Sequence, residues 1–274
     1  FAGVTLPEFQ FENLQINPMP NGFSGVFAAI PFAIWFFLAI EGIANVAEET
    51  VNPQRSIFLG FGSSIITLVI LCILTFTAAV GVGGWEAIVY EGNNHIASDS
   101  PLPLALGQVV HSGHFLYKLL IGIGLLGLVA SFHGIILAGG RATLEFGRVG
   151  YIPKFLGNIH SRFRTPANDL LINTVIGIIA LFTGKTGEII TIACFGALTL
   201  YIVSMWSFFV LRKNEPNLER PFKVPMFPLF PLLALAISAI SLVAMSYYNQ
   251  QLASIFFSIV LVSYLYFYFF LRRK

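Results

Sequence analysis

Glu41 is followed directly by Gly42 inside Pro31–Ala47, a run that is otherwise apolar apart from Asn45. The run is long enough to cross a bilayer. An ionised side chain near the hydrocarbon centre costs at least ~2.5 kcal/mol even on lenient insertion scales, so it is rarely left facing lipid. Glu41 therefore belongs on a substrate or ion pathway, and a helix interrupted beside it is how many secondary transporters build a binding site. Two roles fit it: a substrate counter-ion or coupled proton site, or a cap accepting backbone N–H bonds at the broken helix.

The other polar groups in apolar surroundings are few. Asn45, one helical turn beyond Glu41, suits interhelical bonding or the lining of a cavity. His133 suits either a hydrogen-bonded interior histidine or a substrate or proton group. His111 and His114 have the spacing of a metal clip but lack a third ligand, which favours a plain loop. Glu48 and Glu49 lie at a helix end where the dipole disfavours negative charge, so they call for pairing with Arg55 or Arg141, or for an inner gate. Cys72 and Cys194, far apart in apolar runs, read as small core residues, with neither a disulfide framework nor a metal set. No Walker-type phosphate loop is present, and Gly81-Val-Gly-Gly84 and Gly122-Ile-Gly124 lack a strand-to-helix context. They fit close helix packing instead. The chain thus carries no enzyme constellation and calls for no cofactor.

Composition says what must position these residues. The 274 residues are 56% hydrophobic and 10% charged, with a net charge of +2, and the mean hydropathy is +0.81. Soluble domains carry about 25% charged residues, so lipid must solvate much of this surface, and the small net charge gives no case for nucleic acid. Seven apolar runs follow: Val26–Ala47, Ile57–Val82, Phe115–Gly140, Ala167–Gly184, Gly187–Leu211, Met226–Tyr247 and Gln251–Leu271. Helices are expected for all, because an isolated strand leaves its polar groups unpaired in hydrocarbon. The fold class expected is an all-α, polytopic membrane bundle of seven helices forming a single transmembrane domain over residues 1–274.

Of the 15 basic residues, 13 fall in one alternating set of connections, after the first, third, fifth and seventh runs; Lys118 and Lys185 are the exceptions. The loop Gly83–His114 carries Glu86, Glu91 and Asp99, with Lys and Arg absent. The positive-inside rule then puts the N-terminal segment and this loop outside and the C-terminus in the cytoplasm. An external N-terminus in a chain beginning Phe-Ala-Gly leads to the expectation of a fragment preceded by further spans. Thr165-Pro166 reads as N-cap and first residue of the fourth helix. The third helix is expected to continue past the membrane, with Arg141, Glu145 and Arg148 on one face, until Gly150 and Pro153 end it. Arg212–Pro231, with five prolines, reads as a connector.

Trp35-Phe-Phe-Leu-Ala-Ile-Glu-Gly-Ile-Ala-Asn-Val-Ala-Glu-Glu49, with Asn52-Pro53-Gln54-Arg55 behind it, resembles the sixth transmembrane helix and following loop of amino acid–polyamine–organocation permeases. Gly139-Gly-Arg-Ala142 to Gly150-Tyr-Ile-Pro153, Thr165-Pro166 and Arg220-Pro-Phe-Lys-Val-Pro225 add to the likeness, which covers nearly all of residues 20–274. Within that superfamily, Ile34–Glu49, Ser98–Gly107 and Ala130–Gly139 look most like bacterial ethanolamine permeases. The resemblance implies an incomplete inverted-repeat transporter fold, helices six to twelve of twelve, in a bacterial inner membrane. It implies a substrate site where the first and sixth helices unwind, so this chain would hold half of it, and the missing N-terminal helices of the same protein would supply the rest. Leu38, Ala39, Ile40, Glu41 and Gly42 would be the unwound segment, Trp35 an aromatic wall or gate, and His133 a neighbour of the same cavity. The substrate implied is ethanolamine or a similar small amine, or an amino acid, driven by protons, sodium ions or exchange. Physical chemistry agrees with a small cation: Glu41 would pair with an ammonium, Trp35 would add a cation–π contact worth ~0.5–2 kcal/mol, and freed backbone groups would hold a hydroxyl. The reading from another class is a membrane structural or receptor-like module without transport.

Overall fold

The computed structural model describes all residues except 39–41, 43–49, 92–95, 99, 221–223, 225 and 272–274. Among the described residues the regular structure is helical, apart from a two-residue antiparallel ladder that pairs Tyr90 with Ala97 and Glu91 with Ile96 (β1, Tyr90–Glu91; β2, Ile96–Ala97). The helices are α1 (Ala2–Thr5), α2 (Gly22–Ala28), α3 (Ile30–Phe37), α4 (Pro53–Val89), α5 (Pro101–Gly107), α6 (Phe115–Val149), α7 (Ala167–Phe182), α8 (Thr186–Asn214), α9 (Leu229–Tyr248) and α10 (Gln250–Tyr266). A π-helical turn, Phe267–Leu271, continues α10.

Among the described residues, five helices have the length and hydropathy to cross a membrane: α4, α6, α8, α9 and α10 with its continuation. The most apolar stretches of α6 and α10 bury none of their residues against protein, and Leu126, Phe132, Val262 and Tyr264 all stand exposed. A water-facing surface of that kind would drive aggregation. Hydrocarbon tolerates it, and in return requires that backbone groups be bonded within each segment, which a helix achieves.

Two of the seven expected runs are shorter as helices. At 1.5 Å per residue the 16 residues of α7 reach about 24 Å, less than a hydrocarbon core of about 30 Å. The run from Val26 is divided into α2 and α3 at Ala29. Pro31 explains the division, since it lacks the N–H that would reach Phe27 one turn earlier and its ring crowds that carbonyl.

The chain forms two compact units. The first comprises Phe1–Pro20 and Leu59–Ile135. Its core is Ala79, Val80, Ile88 and Ala105, with Phe1, Leu14, Trp85 and Leu102 packed around them. Gly84, at φ +82°, kinks α4 two residues after the expected end of the second run. Just before the kink, the Gly81 carbonyl accepts the Gln10 N–H at 2.9 Å and Asn13 Nδ2–H at 2.8 Å. Trp85 Nε1–H donates to the Asn17 carbonyl at 3.1 Å, so the first twenty residues are strapped onto this end of α4. His114 receives the Leu116 N–H on Nδ1 at 3.2 Å, capping the start of α6. A Cβ at Gly122 or Gly124 would meet no described residue within 4 Å.

The second unit comprises Asn21–Phe58 and Ile136–Lys274. Cys194, Phe195 and Leu198 lie on one face of α8 and pack against Met245 of α9 and Ala253 of α10. The small residues Ser238 and Ser241 are buried on α9, where they let neighbouring backbone approach, and Ser238 Oγ–H bonds back to the Ala234 carbonyl. α6 continues to Val149 with an Arg148–Glu145 ion pair at 2.6 Å, and Gly150, at φ +87°, lies just beyond its end. α7 begins one residue later than expected: Pro166 occupies the N-cap without a side-chain cap bond, and Thr165 contributes its carbonyl to the Ala167 N–H at 2.9 Å.

Behind α6, Gly147 meets the 3-10 turn Lys154–Gly157 backbone to backbone. A Cβ on Gly147 would stand 2.6 Å from the Leu156 carbonyl carbon and 2.8 Å from Gly157 Cα. Gly147→Ala is therefore expected to destabilise the complete protein by about 1–3 kcal/mol. Thermal unfolding in detergent should show this, with Gly113→Ala, in an open loop, leaving the midpoint unchanged.

Candidate functional site

Eight residues carry the site expected from the sequence, and four of them, Ala39, Ile40, Glu41 and Asn45, lie outside the described residues. The approach to them is described. α3 ends at Phe37, and Leu38 is extended at φ −67°, ψ 149°, its N–H donating to the Trp35 carbonyl at 3.1 Å. The helix thus stops four residues before Glu41, within the apolar run. Gly42 is half-buried, and a Cβ placed on it would meet nothing within 4 Å.

α3 is held by its own pattern. Ile30 and Ile34, four apart, share a face with buried Pro31 and pack against the core cluster of Cys194, Phe195, Leu198 and Met245. Cys194 is fully buried and its Sγ–H donates to the Pro31 carbonyl at 3.2 Å. Phe32, Trp35 and Phe36 remain exposed, Trp35 at 41%. The helix is therefore fastened along one side and presents aromatic rings elsewhere. Trp35 follows Ile34 by one residue, a rotation of about 100° from the fastened face.

His133 belongs to the other unit. It is exposed on α6, with Nδ1 2.7 Å from the Val129 carbonyl one turn earlier. A carbonyl only accepts, so Nδ1 carries a proton and Nε2 is the nitrogen left for any other partner. His111 and His114 form no metal cluster, and none occurs among the described residues.

Two residues gain importance that their sequence surroundings did not suggest. Cys194 reads as a core residue yet makes a polar contact 163 positions away in sequence. Asp169, in the first turn of α7, is fully buried, and both of its carboxylate oxygens lack a hydrogen-bond partner. Beside it Asn173 Nδ2 donates to the Asp169 carbonyl at 2.9 Å and to Thr143 Oγ1 of α6 at 3.0 Å. An acid three residues into an apolar run was the available signal, masked by the ordinary preference for Asp in a first helical turn.

Residues 1–270 match the family described as amino acid permease. An uncharacterized transporter of Rhizobium meliloti (strain 1021) is 28% identical over 214 residues, covering 78% of this chain and 44% of that protein. The branched-chain amino acid permease BcaP of Lactococcus lactis subsp. cremoris is 27% identical over 213 residues, 76% of this chain and 43% of that one. The vacuolar cationic amino acid transporter 4 of Arabidopsis thaliana is 27% identical over 218 residues, 79% of this chain and 33% of its own. The chain spans less than half the length of each of these relatives.

Proposed function

Because this chain belongs to the amino acid permease family, we propose that it is part of a secondary transporter that imports a small amine-bearing solute by alternating access. The observation carrying this reading is the end of α3 at Phe37, followed by extended Leu38, inside an apolar run that holds an acid. In hydrocarbon such a stop exposes polar backbone groups, which is tolerated where the chain lines a water-filled cavity.

The proposed site comprises Trp35, Leu38, Ala39, Ile40, Glu41, Gly42 and Asn45, with His133 the further residue that the family resemblance implies. Glu41 pairs with the ammonium, Trp35 covers it, and the backbone from Leu38 to Gly42 holds the remaining polar group. More than half the length of each relative cited lies outside its match, and the rest of the cavity is proposed to come from preceding helices of the complete protein. Ethanolamine and amino acids share the ammonium. A lone carboxylate favours ethanolamine, which lacks a carboxylate of its own. The names of relatives such as the branched-chain amino acid permease favour an amino acid.

Uptake of radiolabelled ethanolamine by the complete protein in proteoliposomes, under imposed proton or sodium gradients and competed by amino acids, separates the two. Accumulation of neither solute under any gradient would favour a non-transporting membrane module. Glu41→Gln is expected to raise KM about 10- to 100-fold, the loss of one charge-assisted bond of ~1.5–3 kcal/mol; unchanged kinetics and pH dependence would remove Glu41 from the site. For orientation, with the loop after α4 outside and the C-terminus in the cytoplasm of a bacterial cell, Ser98→Cys should react in intact cells with a membrane-impermeant maleimide. Labelling only after lysis would invert the proposed topology.

A further inference from the structure

We infer that Cys194 is a positioning residue for transport: its thiol sets the rotation and depth of α3, and through α3 the aim of Trp35 and of the chain leaving at Leu38. This deepens the proposed function and rests on the broken-helix site.

The argument begins with what an eight-residue helix can do alone. α3 is too short to be stable by propensity, and extended Leu38 withdraws support at its C-terminal end. Its orientation must therefore come from packing. Ile30 and Ile34 supply an apolar seat on α8 and α9, but an apolar seat alone permits sliding and small rotations. A directional contact removes that freedom. Cys194 Sγ–H donates at 3.2 Å to the Pro31 carbonyl, the start of the helical step that reaches Trp35 one turn later. It is fully buried, so water cannot compete for the carbonyl.

The same step carries the Trp35 side chain. A shift of α3 by a fraction of a turn would swing the indole away from an ammonium beside Glu41, weakening binding while leaving the fold intact. Serine has the same shape and a stronger donor; alanine removes the contact and leaves the apolar seat.

The test uses the complete protein. In proteoliposomes Cys194→Ala is expected to raise KM about three- to tenfold, the range for one neutral hydrogen bond. kcat should stay within about twofold of wild type, and Cys194→Ser should return KM to within about twofold. In detergent, the infrared S–H stretch lost on Cys194→Ser should lie at the lowered frequency of a hydrogen-bonded thiol. An unchanged KM in Cys194→Ala, an equal rise in Cys194→Ser, or the frequency of a free thiol would each overturn the assignment. A double-mutant cycle adds a separate check: with Trp35→Ala in place, Cys194→Ala should have little further effect on KM, whereas full additivity would show that the thiol does not act through Trp35. If the wild-type protein carries no amine or amino acid, the transport reading fails, and the inference about Cys194 fails with it; the S–H band then reports only whether the thiol contact exists.

Discussion

Hydrocarbon offers no hydrogen-bond partner to a peptide group, and this constraint organises the protein. It selects helices over strands and permits the exposed leucines and phenylalanines of α6 and α10. It makes the end of α3 consequential. A helix that stops at Phe37 frees carbonyls that lipid cannot satisfy. Such a segment must be backed by protein or by enclosed water, and the helix that leads into it is itself seated on the second unit. Ile30 and Ile34 are seated on α8 and α9, and the Cys194 thiol is bonded to Pro31. The stub is thus fastened to a buried cluster along one face, although the residues beyond it belong to the proposed cavity.

Helices were legible where a single physical cause dominated. Apolar length located α4, α6, α8, α9 and α10, and Gly150 marked the end of α6, whereas the kink at Gly84 within α4 was not legible, its glycines suggesting helix packing instead. Pro31 was visible in the sequence, but its effect on the preceding turn was not drawn, so α2 and α3 were read as one run. α7 was the shortest of the seven expected runs and remains short as a helix. Thr165 was read as a side-chain cap, yet its carbonyl is what supports the start of α7. Gly122 and Gly124 resemble packing glycines by composition, but packing depends on a partner surface, which spacing along one helix cannot reveal.

The site was legible only in part, for a related reason. A charge in an apolar run is conspicuous, so Glu41 stood out. A cysteine in an apolar run is not, because its polarity matters only once a carbonyl from a distant segment is brought to it. Asp169 was overlooked because two explanations compete at a first helical turn, and only burial separates them. Family membership makes the chain a multi-pass membrane protein of the permease type.

The meeting of Gly147 with Gly157 has a mechanical consequence. The end of α6 and the 3-10 turn behind it meet main chain to main chain at Gly147 and Gly157, and two side-chain bonds lie beside that contact: Asn168 to the Phe155 carbonyl and Asn173 to Thr143. Main-chain contacts have no rotamers to yield. The last turns of α6, the turn after it and the first half of α7 are therefore joined at a point that no rotamer change can release.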